Sequence, residues 1–190
     1  MFKAIFFDKE NTLLKDNGYD PVFDSNLIFE DFLSIIDFLK DKDFRYFIIT
    51  NQSGINRGFF SKEIFEENMN KIINYFKSKG LFFNDFFYCP HLPEENCDCR
   101  KPKMLLVKRA EALYNLDLKN SYIIGDRKSD VLLGINAKMK TIYLNRGYPE
   151  LQKNKVRFDN KNDYNLDEDF LIKNNVIKID NLLKLKEIIK

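Results

Sequence analysis

The sequence predicts an α/β fold, a doubly wound parallel sheet with helices on both faces, in a single domain covering residues 1–190. Three observations point there. Short, continuous apolar runs alternate along the chain with longer stretches whose apolar residues recur at helical spacing. The runs lack the polar-apolar alternation that marks a strand solvated on one side. Several of them end in acids or in a Thr-Asn pair, just where the next helix begins.

The first strand is "KAIFFD" (Lys3–Asp8), apolar up to its terminal acid. Glu30–Lys40, "EDFLSIIDFLK", sets Phe32, Ile35, Ile36 and Leu39 at helical spacing. "RYFIITN" (Arg45–Asn51) is the second strand, and Lys62–Lys79 a long helix with apolar Ile64, Phe65, Met69, Ile72, Ile73 and Phe76. "FFYC" is the third strand, and Met104–Leu116 reads as a helix. Then come strand "SYIIGD" (Ser121–Asp126), helix Ser129–Asn136 and strand "KTIYLN" (Lys140–Asn145). Past Gly147 the pattern weakens. Residues 150–172 read as a loop-rich arm, its stretch Lys153–Asp169 rich in Asn, Asp and Lys. "VIKI" offers a last strand, and Leu182–Ile189 a closing helix.

Hydrophobic residues at 44% and charged residues at 32% make a globular composition, long enough to bury a core. The formal net charge is +2 with no basic block, so nucleic acid is not an expected partner. The opening "MFKAIFFDKE" is apolar too briefly for a signal peptide. Nowhere do about 18 apolar residues run together, so no membrane span is expected. These features predict a cytoplasmic protein, a monomer or weak homo-oligomer.

In open α/β sheets ligands gather at the carboxyl ends of the strands. The first strand delivers Asp8, with Glu10 and Thr12 after it; the second delivers Thr50, Asn51 and Gln52. The fourth yields Gly125-Asp126, with Asp130 one helical turn later. Any one of these could be a helix N-cap. Asp8, Asp126 and Asp130 converging with Thr50 on one crevice would instead repel one another unless a hard divalent cation joined them. Oxygen ligands alone suit Mg²⁺.

A second cluster stands apart. All three cysteines and the one histidine fall within "CPHLPEENCDC", as Cys89, His91, Cys97 and Cys99. As ordinary buried thiols and a surface imidazole they would have no reason to crowd together. Three thiolates and one imidazole make a closed tetrahedral set, the signature of structural Zn²⁺. The loop 89–99 leads directly into Arg100-Lys101, so a metal staple there would fix the approach to Lys101.

"FFDKENT" resembles the first motif of haloacid-dehalogenase (HAD) superfamily phosphatases, "ITNQ" the second, Lys101 the third and "GDRKSD" the fourth. With "CPH…CDCRKP" the resemblance narrows to the zinc-containing branch of histidinol-phosphate phosphatases and D-glycero-D-manno-heptose 1,7-bisphosphate 7-phosphatases. It implies a Rossmann-like HAD fold without a separate cap domain. It also implies a phosphomonoesterase whose partner is a small phosphorylated metabolite. By this resemblance Asp8 is the nucleophile that forms an aspartyl-phosphate, and Lys101 neutralises charge on Asp8 and the phosphate. Mg²⁺ is held by Asp8, the backbone carbonyl of Glu10 and Asp126, with Asp130 in support. Thr50 and Asn51, with Gln52 beside them, face the phosphoryl oxygens.

Position 10 departs from the family pattern, which has Asp there as general acid and then base. Glu10 keeps the carboxyl but carries one more methylene, which opens a rival reading: a catalytically silent phosphate-binding protein. Lys9 and Asn11 also differ from the usual Arg and Gly, and Asn is among the residues best able to take a left-handed conformation. Arg100 reads either as an anion contact or as a solvated rim residue, and Arg57 either as a contact to a second anionic group or as a helix-start residue. On substrate the motifs divide. The short zinc loop resembles the histidinol-phosphate branch, and "TNQSGINRG" and "NGYDP" resemble the heptose-bisphosphate branch.

Overall fold

The computed structural model describes residues 1–148, 158 and 160–190. Its strands are β1 (Ala4–Phe7), β2 (Arg45–Asn51), β3 (Phe83–Cys89), β4 (Tyr122–Gly125), β5 (Lys140–Leu144) and β6 (Ile177–Ile179). They form one sheet in the order β3-β2-β1-β4-β5-β6, and every pairing is parallel. The chain winds outward from β1 to β3, then crosses back to lay β4 against the other side of β1. The two halves therefore meet between β1 and β4, the switch point where open α/β sheets bind ligands.

The helices among the described residues are α1 (Glu30–Leu33), α2 (Ile36–Lys40), α3 (Lys62–Ser78), α4 (Leu105–Tyr114), α5 (Lys128–Asn136), α6 (Glu168–Lys173) and α7 (Leu185–Ile188). None is long and apolar enough to cross a membrane. Successive strand residues point to opposite faces. Ile5, Phe7, Tyr46 and Ile48 pack with Phe32, Leu39, Phe65, Phe76 and Leu185 on one face. Ala4, Phe6, Phe47 and Ile49 pack with Leu106, Val107 and Ala110 of α4 on the other. Burying each such Phe is worth about 2 kcal/mol, so this sandwich holds the strand ends in register. α5 lies close on the sheet because Gly134 has no side chain. A Cβ there would stand 2.2 Å from the Thr141 hydroxyl and 2.5 Å from an Ile123 methyl.

Several elements differ from the sequence expectation. The helix expected over Glu30–Lys40 is two short pieces, separated at Ser34–Ile35. The Ser34 hydroxyl donates back to the Glu30 carbonyl at 2.8 Å, a bond that bends helices. The closing helix begins as a 3₁₀ turn, Leu182–Lys184, before α7. The expected arm is named over 150–172, and its residues 150–157 and 159 lie outside the described residues. The remainder is more ordered than a solvated loop: a 3₁₀ turn at Lys161–Tyr164, then α6, whose N-cap Asp167 accepts from the Phe170 amide at 3.0 Å. Tyr164 and Leu166 are buried there against Tyr143 and Val131. The Asn- and Lys-rich composition hid these anchors.

Candidate functional site

Asp8 and Asp126 each follow directly after the last residue of a strand, β1 and β4. These strands are paired through Phe7 and Ile124, and the Asp8 amide donates to the Ile124 carbonyl at 2.9 Å. Adjacent parallel strands thus deliver two carboxylates to one point. Asp130 joins them from the first turn of α5, and the approach requires Gly125, because a Cβ there would fall 2.4 Å from the Asp130 carboxyl carbon. All three acids are buried, and ligand oxygens from the three lie within 4.8 Å of one another.

Among the described residues, one ammonium reaches this cluster. The Lys101 ammonium, 5% exposed as a residue, lies 2.6 Å from Asp8 Oδ1 and 2.6 Å from Asp130 Oδ1, and donates to the Ile49 carbonyl at 2.9 Å. The Asn51 side chain grips the Lys101 backbone from both sides, accepting from its amide at 2.9 Å and donating to its carbonyl at 3.2 Å. A single ammonium is too little for three acids. Burial pushes the Asp8 carboxyl up to about 7, with Lys101 pulling down and Asp130 and Glu10 pushing up. Burial raises Asp126 well above its ordinary value, against the pull of Arg127 and with the push of Asp8 and Asp130. One oxygen of Asp126, Oδ1, is buried with no hydrogen-bond partner. The donor set therefore fits a divalent cation with oxygen ligands.

Glu10 turns toward β2. Its carboxylate accepts from the Thr50 hydroxyl at 2.9 Å, the Gln52 amide at 2.7 Å and the Lys9 ammonium at 2.8 Å. Burial disfavours its charge, but the charge of Lys9 and the hydrogen bonds from Lys9, Gln52 and Thr50 outweigh burial and hold it at about 2. The extra methylene of Glu10 is thus taken up by a three-point grip.

A cleft of about 230 Å³ is lined by Asp8, Glu10, Thr50, Asn51, Gln52, Arg57, Arg100 and Lys101, so the structure brings these site residues together. This volume is below the roughly 300–1,000 Å³ of drug-sized pockets and suits a small ligand. Sequence reasoning missed further walls of the cleft: Tyr19, Arg127 and Phe158. Tyr19 stacks on Phe59 with ring centres 4.9 Å apart, and the Arg57 guanidinium lies 4.3 Å over the Phe158 ring. The "GDRKSD" motif hinted at Arg127 and "NGYDP" contains Tyr19 without marking it as a cleft wall, while nothing local marked Phe158.

The second cluster sits at the end of β3. Cys89 Sγ is 3.4 Å from Cys97 Sγ and 3.0 Å from Cys99 Sγ, and His91 Nδ1 is 3.1 Å from Cys99 Sγ. The cysteines form no disulfide. Neutral thiols gain little from one another, and burial pushes the Cys89 thiol up, reinforced by its bond with Cys99. Three sulfurs and one imidazole nitrogen meeting without an acid fit a soft, tetrahedral cation. The loop is tied to the cleft: Arg100 donates to the His91 carbonyl at 3.1 Å, and Asn56 donates to Glu95 at 2.9 Å.

The chain is similar to known proteins in both sequence and shape. The HAD-hydrolase-like family profile matches residues 98–166. D-glycero-β-D-manno-heptose 1,7-bisphosphate 7-phosphatase of Helicobacter pylori is 36% identical over 139 residues, 73% of this chain and 80% of that protein. The histidine biosynthesis bifunctional protein HisB of Blochmanniella floridana is 36% identical over 143 residues, 74% of this chain but only 40% of that longer protein. Among solved structures, the D,D-heptose 1,7-bisphosphate phosphatase of B. bronchiseptica, complexed with magnesium and phosphate, superposes with a TM-score of 0.76. That match covers 97% of this chain and 96% of the other at 21% identity, a likeness of fold.

Proposed function

Because the chain belongs to the HAD-like phosphatases, in the family of the D-glycero-D-manno-heptose 1,7-bisphosphate 7-phosphatases, we propose that it hydrolyses a sugar bisphosphate of the heptose 1,7-bisphosphate kind at Asp8. The observation that carries this reading is the cluster of Asp8, Asp126, Asp130 and Lys101 at the switch point of the sheet.

Asp8, Asp126 and the backbone carbonyl of Glu10 would hold Mg²⁺, with Asp130 in support. When bound, the ion supplies charge neutralisation that lets a carboxylate and a phosphate dianion approach. A carboxylate oxygen of Asp8 forms a bond to phosphorus as the bond from phosphorus to the sugar oxygen breaks, leaving an aspartyl-phosphate. Glu10, ionised before substrate arrives, takes up a proton from solvent as the bound phosphate draws its donors away, gives it to the departing oxygen, and then takes one from the water that attacks phosphorus. That attack breaks the bond to Asp8 and releases inorganic phosphate. Lys101 holds Asp8 in line and balances the negative charge throughout. Thr50 and the Asn51 backbone bind phosphoryl oxygens. Phosphate oxygens compete with Glu10 for the Thr50 hydroxyl, and each donor drawn away makes Glu10 a better proton carrier.

Two features support a substrate with a second anionic group. Arg57, Arg100 and Arg127 all line the cleft, with Asp16 and Asp163 beside them and Arg127 paired to Asp16 at 3.5 Å, so Arg57 and Arg100 are the guanidinium groups set for a second anion. Burial and the nearby Arg127 both act against the charge of Arg100, a strain that an anion between them relieves. Structural Zn²⁺ held by Cys89, His91, Cys97 and Cys99 would organise Arg100 and take no part in the chemistry.

The test is phosphate release with Mg²⁺ from three esters: D-glycero-D-manno-heptose 1,7-bisphosphate, histidinol phosphate and a small amino-alcohol phosphate. A kcat/KM at least about tenfold higher for the bisphosphate is expected, roughly 1.4 kcal/mol of preference. A preference for histidinol phosphate would transfer the substrate assignment to that branch. Glu10→Asp is expected to raise turnover by up to about a hundredfold, given the sensitivity of proton transfer to placements near 1 Å. No turnover by the native chain with recovery in Glu10→Asp would support the silent binding protein.

A further inference from the structure

Asn11 sits in the left-handed region, with φ of 54°, in the turn after β1. Its backbone amide donates to the Leu14 carbonyl at 2.6 Å, and the residue is 5% exposed. A left-handed turn accounts for Asn or Gly at this position. It does not account for what the side chain does. The Asn11 Nδ2 donates to Asp126 Oδ2 at 2.8 Å, across 115 residues of sequence, and approaches the Gly147 carbonyl at 3.5 Å. Both neighbours are acceptors, so the amide nitrogen must face them; the flipped amide would set oxygen against oxygen.

The consequence falls on Asp126. Asp8 and Asp130 each have an oxygen on the Lys101 ammonium, and Asp130 Oδ2 also accepts from the Arg127 amide at 3.1 Å. Asp126 has no such cation contact among the described residues. Asn11 holds its Oδ2, while its Oδ1 is buried without a hydrogen-bond partner beside the other two acids. We propose that Asn11 is a positioning residue for the divalent cation: its amide fixes one oxygen of Asp126 so that the other is presented, preoriented, to the metal. The inference rests on the reading of Asp8, Asp126 and Asp130 as the magnesium site. Groups that orient a metal ligand from outside typically govern affinity by about 10–100-fold.

Asn11→Gly separates the two roles of the residue, because glycine keeps the left-handed backbone and removes the amide. Binding of Mn²⁺ to the 190-residue protein, followed by electron paramagnetic resonance without substrate, should show a Kd at least about tenfold higher in Asn11→Gly than in the native chain. The Mg²⁺ concentration giving half-maximal phosphate release should rise by the same factor. Equal Kd values in two folded proteins would overturn the role of Asn11 and leave the magnesium site standing. Absence of Mn²⁺ binding by the native chain would remove both. If Asn11→Gly does not fold, the side-chain amide of Asn11 in the native protein decides. Its ¹⁵N–¹H resonances should move when Mg²⁺ is added, and unmoved resonances would sink the proposal.

Discussion

Asp8 and Asp126 meet because β1 and β4 are neighbours, whereas Cys89 and Cys99 meet although only Cys89 belongs to a strand. The acids stand over a core of fully buried Phe and Ile side chains, and their positions follow from strand pairing. The thiol loop has little such support: Pro93 to Asn96 is exposed, and the chain turns there through left-handed Asn96, with φ of 45°. One site inherits its geometry from the sheet, and a cation there would join acids already in place. The other has its geometry from the donor atoms themselves, so a cation there would be part of the fold.

The largest effect that sharpens this contrast is Asp8→Asn. Turnover should fall by about 10⁴-fold or more, as nucleophile removal does in covalent enzymes, while zinc content and melting temperature hold. Retained turnover would take the chemistry away from Asp8. Lys101→Met comes next. It leaves Asp8 and Asp130 buried without their counter-charge, and should lower stability in denaturant titrations by about 3 kcal/mol without Mg²⁺. Added Mg²⁺ should return part of that loss, and a loss indifferent to Mg²⁺ would separate the acids from the cation. Cys97→Ser should release the zinc and cut turnover about tenfold, within the usual range for supporting shells. Limited proteolysis should then cleave between residues 92 and 99 while the sheet stays folded; global unfolding would show that the loop supports the core. The smallest effect is expected of Tyr19→Ala, which should raise KM about threefold with kcat nearly constant. A fall in kcat alone would place Tyr19 with the reacting groups instead of the cleft wall.

The same contrast explains what was legible in the sequence. Strands, their order of chemistry and the three acids could be read because each depends on a local run and the residue that ends it. The thiol set could be read because all its members fall in one stretch. Contacts that join distant segments left no local trace. The grip of Thr50 and Gln52 on Glu10 and the stacking of Arg57 on Phe158 needed the fold, and Asn11 showed only its backbone preference. The break at Ser34 escaped because apolar spacing continues through it while the hydroxyl competes for the carbonyl behind. Past Gly147, Tyr164 and Leu166 are buried anchors embedded in polar sequence, where periodicity has nothing to count.

The Asn51 amide that clasps the Lys101 backbone has a mechanical consequence. It moors the start of the route to α4 onto the tip of β2, so slack in the thiol loop is absorbed before it reaches the ammonium. Loss of a zinc ion held there would therefore be felt first at Arg100, which hangs from the His91 carbonyl on the loop side of that mooring. Grip on an anion in the cleft would loosen before the ammonium beside Asp8 is displaced.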